Sequence, residues 1–102
     1  MAKEGFEKLK ENNTTNCLYP YILKILSEKR AHAYVLRKHI EEKFGFRTGS
    51  VTAYKVLYLM KKDGMVEKTD YDRKKVYRIT NKGKKELKKV LGFYKGQIKL
   101  LE

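Results

Sequence analysis

The sequence has one cysteine, Cys17, and two histidines, His32 and His39. No disulfide can therefore close within the chain, and even together the three do not make a zinc set. No stretch approaches the roughly 18 apolar residues of a membrane span, and the opening Met-Ala-Lys-Glu-Gly-Phe-Glu lacks the apolar core of a signal peptide. This predicts a soluble, cytoplasmic protein and not a membrane-associated one. A nucleophile with its base, a glycine-rich phosphate loop and a carboxylate pair are all missing, so no enzyme, metal or cofactor is expected. Tryptophan is absent and glutamine occurs once, beside abundant Lys and Glu; this balance resembles that of thermophile proteins, although Asn12, Asn13, Asn16 and Asn81 temper it.

Acidic residues are also scarce, 12 against 25 Lys and Arg, leaving a net charge of +13. Such an excess predicts attraction to polyanions, nucleic acid first. With 102 residues and 41% hydrophobic composition the chain can build one core and no second domain, since domains run to about 100 to 200 residues. The charge is uneven: residues 73–89 carry nine basic side chains against Glu86 alone, a net +8. A charge run ordinarily marks one solvated helix face. This one crosses from a predicted strand into a predicted helix, which a single face does not explain.

Residues 1–16 have only Phe6 and Leu9 as large apolar side chains and end in Asn12-Asn13-Thr14-Thr15-Asn16, which reads as a short amphipathic or disordered arm and a linker. Asn16 is a candidate cap for a first helix, in which Leu18, Tyr19, Ile22, Leu23, Ile25 and Leu26 recur at core spacing and Pro20 falls near the start. After a charged turn over 27–32, Leu36, Ile40 and Phe44 repeat every four residues, and Gly45 ends that second helix. Thr48 or Ser50 can cap a third helix running to Lys62, where Asp63-Gly64 stops it. At 100° per residue Ala53, Tyr54, Leu57 and Met60 share a face predicted to be buried, opposite Thr52, Lys55, Leu59 and Lys62. Residues 65–69 and 75–80 read as a hairpin with a charged tip, Tyr77 and Ile79 facing the core. Thr80 then caps a last helix in which Leu87, Leu91, Tyr94, Ile98 and Leu101 fall on a and d positions.

Helix, helix, helix, hairpin is the order of a winged helix, in which the second and third helices form a helix-turn-helix. The fold class is therefore mostly α with a small β-hairpin (α+β): an arm over 1–16, a winged-helix domain over 17–80 and a C-terminal dimerisation helix over 81–102. The segments Thr52-Ala53-Tyr54 through Leu57, Lys62-Asp63-Gly64-Met65-Val66 and Val76-Tyr77-Arg78-Ile79-Thr80-Asn81-Lys82-Gly83 resemble the PadR family of winged-helix regulators. That family shows a Thr-x-Tyr opening of the third helix, a Gly-Leu-Ile turn into the wing and a Tyr-x-x-Thr-x-x-Gly exit. The likeness covers roughly residues 18–90. Much of it is architectural: Gly64 for a left-handed cap, Gly83 for a close helix-to-sheet approach.

The resemblance implies a homodimeric repressor of transcription, with the third helix in the major groove, the wing on the flanking backbone and dimerisation through the last helix. Some relatives bind aromatic ligands at the dimer interface, which leaves a small-molecule effector as a partner to identify. The chain departs from the family after Leu57, where Tyr58 and Leu59 replace positions that are often basic. Leu59 has two readings, contact with a thymine methyl or packing on a partner helix.

Among individual residues, Lys55, Lys62, Arg73, Lys74 and Lys75 are the phosphate candidates. Ser50 and Thr52 can donate to phosphate or a base edge, Ser50 equally to its own helix; Thr48 and Arg47 sit just before the helix, Arg47 equally placed for phosphate or for solvent. Tyr71 at the wing tip is expected to pack on its own hairpin, with Asp70 and Asp72 shaping the turn. Tyr19, Tyr21, Tyr34, Tyr54 and Tyr58 are expected to be core and interface packing, and the two histidines isolated surface residues. Gly92 and Gly96 weaken the last helix by about 1 kcal/mol each while allowing a close crossing. Two other functions fit the composition. One is an architectural DNA-coating protein, suited by 20 lysines against 5 arginines because guanine readout favours arginine forks. The other is a winged-helix adaptor for a protein partner. Competition against random DNA separates the three.

Overall fold

A computed structural model describes residues 4–71 and 73–102, with the backbone alone at Tyr71. The described elements are α1 (Gly5–Asn12), α2 (Tyr19–Glu28), β1 (Ala31–His32), α3 (Ala33–Phe44), α4 (Ser50–Lys62), β2 (Val66–Tyr71), β3 (Lys74–Ile79) and α5 (Asn81–Leu101). The strands form an antiparallel sheet of order β1-β3-β2, with Ala31 opposite Tyr77 and Val66 opposite Ile79. The result is an α+β winged helix, with the β2–β3 hairpin as the wing.

The core forms where the helical periods converge. Ile22 and Leu23 of α2, Leu36 and Ile40 of α3, Leu57 and Met60 of α4 and Val66 of β2 are all fully buried. Each contributes about 1.5–3 kcal/mol by leaving water. Tyr77 joins this cluster and Ile79 packs against it, as their shared face predicts. Val76, on the opposite face of the central strand, is buried as well, between His32 of β1 and Thr69 of β2. Desolvation pushes the Tyr77 hydroxyl above its ordinary pKa.

Two joints match the sequence reading. Gly45 and Gly64 both have φ of +78°, the left-handed region that favours glycine. The Thr80 hydroxyl accepts the Gly83 N–H at 3.1 Å and donates to the Gly64 carbonyl at 2.6 Å, tying the wing turn to the start of α5. A Cβ at Gly83 would stand 2.2 Å from the Met65 carbonyl oxygen, so only glycine allows α5 to seat there.

Four expectations are corrected. Residues 5–12 form a helix, as the amphipathic reading of the arm allows, but the segment after it is not a free linker: the Asn13 amide and Thr14 hydroxyl bond back to the Leu9 and Lys10 carbonyls. Asn16 caps nothing in α2, whose N-cap is Leu18; its amide donates to Asn12. Neither Thr48 nor Ser50 caps α4, whose N-cap Gly49 offers no side chain. The turn before α3 contains a two-residue strand, β1, too short for any periodicity to reveal. The hairpin strands also run further toward the tip than the sequence pattern suggests. Asp72, read as a turn-shaping residue, and the Tyr71 side chain lie outside the described residues.

Candidate nucleic-acid interface

Helix α4 buries Ala53, Leu57 and Met60, and this fixes which side faces out. At 100° per residue the outermost ridge is Val51, Lys55, Tyr58 and Lys62, at spacings of four, three and four. Thr52 and Leu59 form one shoulder, Tyr54 and Lys61 the other, and all are exposed. Tyr54 was expected in the core and is 47% exposed. It lies 100° around the helix from Ala53, on the flank and not on the buried side. The outward direction is therefore rotated from the predicted Thr52-Lys55-Leu59-Lys62 face toward Val51 and Tyr58, 80% and 62% exposed. The sequence pattern assigns Val51 no role and Tyr58 only a packing one; centring the helix on Ala53, Leu57 and Met60 alone, without Tyr54, points both outward. No acid lies within α4, and Lys55, Lys61 and Lys62 have no ion pair among the described residues.

The loop into α4 is held from below. Arg37 Nε donates to the Thr48 carbonyl at 2.8 Å, and Thr48 is only 8% exposed, so it supports the helix start and does not line its surface. Ser50 stays exposed at the first turn. Arg47 is exposed too, but its guanidinium is engaged by Glu41 at 2.8 Å, which blunts it as a free cation.

The three wing cations, grouped by sequence, have different surroundings. Arg73 holds a left-handed backbone, φ +64°, and makes no ion pair among the described residues. Lys74 lies on the outer sheet face, its ammonium 5.6 Å from the centre of the Tyr34 ring and 3.4 Å from the Tyr34 hydroxyl, to which it donates. Lys75 faces the other way and pairs with Asp70 directly across the hairpin. That hydrogen bond, with the ammonium charge, holds the Asp70 carboxyl below its ordinary pKa. Tyr34 thus enters the region from α3, and its ring also stacks on His32, centroids 5.5 Å apart. His32 is no plain surface histidine: its Nδ1 is buried without a hydrogen-bond partner among the described residues. Of the five tyrosines expected to be packing, Tyr19 and Tyr21 are partly buried, Tyr21 edge-on to Phe44 and Phe46, whereas Tyr34, Tyr54 and Tyr58 are exposed.

The seam on α5 divides in two. Leu87 packs against the core, and the Tyr94 hydroxyl donates to Asn13 Oδ1 at 3.1 Å, so these two face their own chain. Leu91, Ile98 and Leu101 stay exposed, together with Phe93 and Leu100. Gly92 and Gly96 border open space and lie about 140° and 180° around the helix from Leu87, on the side away from the seam. Among the described residues no three His, Cys, Asp or Glu side chains are placed to hold a metal ion, and no helix is long and apolar enough to cross a membrane.

A comparison with curated proteins found no match. Solved structures match in fold. A transcriptional regulator from Clostridium thermocellum shares 24% identity at a TM-score of 0.76, covering 82% of this chain and 88% of that one. A PadR family transcription regulator from Clostridium difficile shares 22% at 0.74, covering 81% and 92%. A winged-helix DNA-binding protein from STIV shares 26% at 0.70, covering 76% and 86%. The sequence model of the transcriptional regulator PadR-like family matches residues 22–89, from within α2 to the first half of α5 and well over half of the chain. That segment holds the buried core, the α4 ridge, the wing and the Gly64, Thr80 and Gly83 joints, and on it the chain belongs to the transcriptional regulator PadR-like family.

Proposed function

We propose that the chain acts as a homodimeric, sequence-specific repressor on double-stranded DNA, with α4 in the major groove and the β2–β3 wing on the flanking backbone. The observation that carries this reading is the α4 ridge: thirteen residues without an acid, their exposed side interleaving lysines with uncharged side chains. Lys55 and Lys62 supply phosphate attraction, while Thr52 and its neighbours meet base edges. Arg73 and Lys74 extend the cationic surface onto the wing. Self-association is assigned to Leu91, Ile98 and Leu101, which the chain's own core leaves uncovered, and Leu87 and Tyr94 anchor the same helix to its own body.

Selection of bound duplexes from a random pool tests this. A palindromic product preferred over random DNA by at least about a thousandfold at physiological salt supports the regulator. Equal binding of both replaces it with the architectural reading, which is favoured by an α4 that contains lysines and no arginine. Binding of neither leaves the protein adaptor.

A further inference from the structure

Val51 is an unusual residue to find where it stands. A β-branched side chain in the first turn loses rotamer freedom and so adds nothing to helix stability. At 80% exposure it also buries little within its own chain. Its place on the α4 ridge, one residue into the helix and one turn before Lys55, is where a recognition helix meets base edges. Tyr58, 62% exposed, follows Lys55 on the same line, and Leu59 flanks it.

The chemistry absent from α4 narrows what these side chains read. The helix has no Arg, Asn, Gln, Asp or Glu, which leaves hydrogen bonding to base edges to Ser50, Thr52 and the lysines. In the major groove the one apolar feature of an unmodified base pair is the C5-methyl group of thymine. From this we infer that Val51, with Tyr58 beside it, reads thymine methyl groups, so that the preferred half-site carries thymine under the first turn of α4. The lysines on either side bring the apolar contact to a polyanion and argue against an apolar protein partner for the same ridge. This inference rests on the DNA-regulator reading above.

The test runs the random-pool selection twice, once with thymidine and once with deoxyuridine in its place. The duplex recovered from the first pool is then measured in both forms against the wild type, Val51→Ala and Tyr58→Phe. The wild type should lose about fourfold in affinity for each contacted methyl removed, and about fifteenfold where both half-sites of a dimer lose one. Val51→Ala should bind the thymidine duplex more weakly and discriminate less, with its salt dependence unchanged because the lysines remain. Tyr58→Phe should keep the discrimination, since the ring and not the hydroxyl makes the contact. The positions are exposed, so circular dichroism should show both variants folded.

Equal binding of thymidine and deoxyuridine duplexes by the wild type overturns the inference and leaves the regulator reading standing. Full discrimination by Val51→Ala removes Val51 as the reader. The same duplex is also prepared with 5-methylcytosine for cytosine; tighter binding of that form, with no loss in the deoxyuridine form, makes the source a modified cytosine and the thymine assignment wrong. If neither pool yields a duplex bound above random, the regulator reading fails and this inference fails with it.

Discussion

Helices α4 and α5 both leave large apolar side chains in water, yet the two surfaces are built differently. On α4, Val51 and Tyr58 alternate with Lys55 and Lys62 along one ridge, so lysines stand among the exposed apolar side chains. On α5, Leu91, Ile98 and Leu101 continue one stripe from Leu87 with no charge inside it, while Lys88, Lys95 and Lys99 keep to a neighbouring side. The difference lies in the spacing of charge and not in the amount of exposed carbon. A surface with lysines set among its apolar side chains is solvated alone and attracts a polyanion; an uninterrupted stripe hides its carbon only against another stripe.

The comparison breaks most visibly at α5. Replacing Leu91 and Ile98 together with Asp should convert a dimer into monomers of 12.1 kDa by light scattering. DNA affinity should drop as well, because the two half-sites are no longer linked. A dimer that survives the double change places the interface elsewhere, and a monomeric wild type removes the distinction between the two helices.

The next largest effect tests the joint between the two regions. Gly83→Ala drives a methyl group into the Met65 carbonyl and the Ile79 side chain, which would approach to 2.2 Å and 2.7 Å. Overpacking of this kind costs about 1–3 kcal/mol, and here the obstacle is backbone, so the upper end or beyond is expected. Urea denaturation should show a lowered midpoint with an unchanged slope. An unaffected midpoint would mean that α5 is not seated on the wing turn in solution, and its apolar stripe would then have no fixed origin.

How far the sequence revealed each region follows from the range of the forces involved. Gly64, Thr80 and Gly83 were legible because positive φ, capping and close approach are stereochemical demands met by particular residues. Ala53, Leu57 and Met60 were legible because burial imposes a 3.6-residue period. Tyr54 was not, since its hydrophobicity suggested the core while the direction of the helix is set by contacts with α3 and β2 that no local window contains. For the same reason the predicted outward face is rotated from the observed ridge, which leaves Val51 without a role and Tyr58 with a packing one. The opposed surroundings of Lys74 and Lys75 depend on strand register, and the Lys74–Tyr34 contact spans 40 residues, so neither could be read from local pattern.

A smaller effect sharpens the α4 side. Arg73, Lys74 and Lys75 changed together to Ala should weaken specific and random duplexes by similar factors and flatten the salt dependence by up to about 0.9 in log–log slope per lost contact. The surroundings rank the three. Arg73 should account for the largest share, Lys74 for less because it is held over Tyr34, and Lys75 for least because Asp70 already neutralises it. Thr52→Ala and Lys55→Ala should instead narrow the gap between specific and random DNA. An unchanged slope in the triple variant takes the wing out of the mechanism, and unchanged discrimination in the α4 variants moves base reading off that ridge.

The finest distinction concerns which side of α5 meets its partner. Gly92 and Gly96 were expected to permit a close crossing, yet they lie about opposite the Leu91-Ile98 stripe, and a Cβ at either meets nothing within 4 Å. If the partner helix crosses on the stripe, Gly96→Ala only improves the helix, by about 1 kcal/mol, and the midpoint of thermal unfolding should rise by roughly 4–8 °C or less in a dimer of this size. Dimer dissociation, followed by dilution in light scattering, should stay as in the wild type. If the partner instead crosses on the glycine side, over Phe93 and Leu100, the added methyl group separates the two helices, and the same substitution loosens the dimer while still favouring the isolated helix. A loosened dimer would thus transfer the interface to Phe93 and Leu100, whichever way the midpoint moves, and an unchanged dissociation with a raised midpoint keeps it on Leu91 and Ile98.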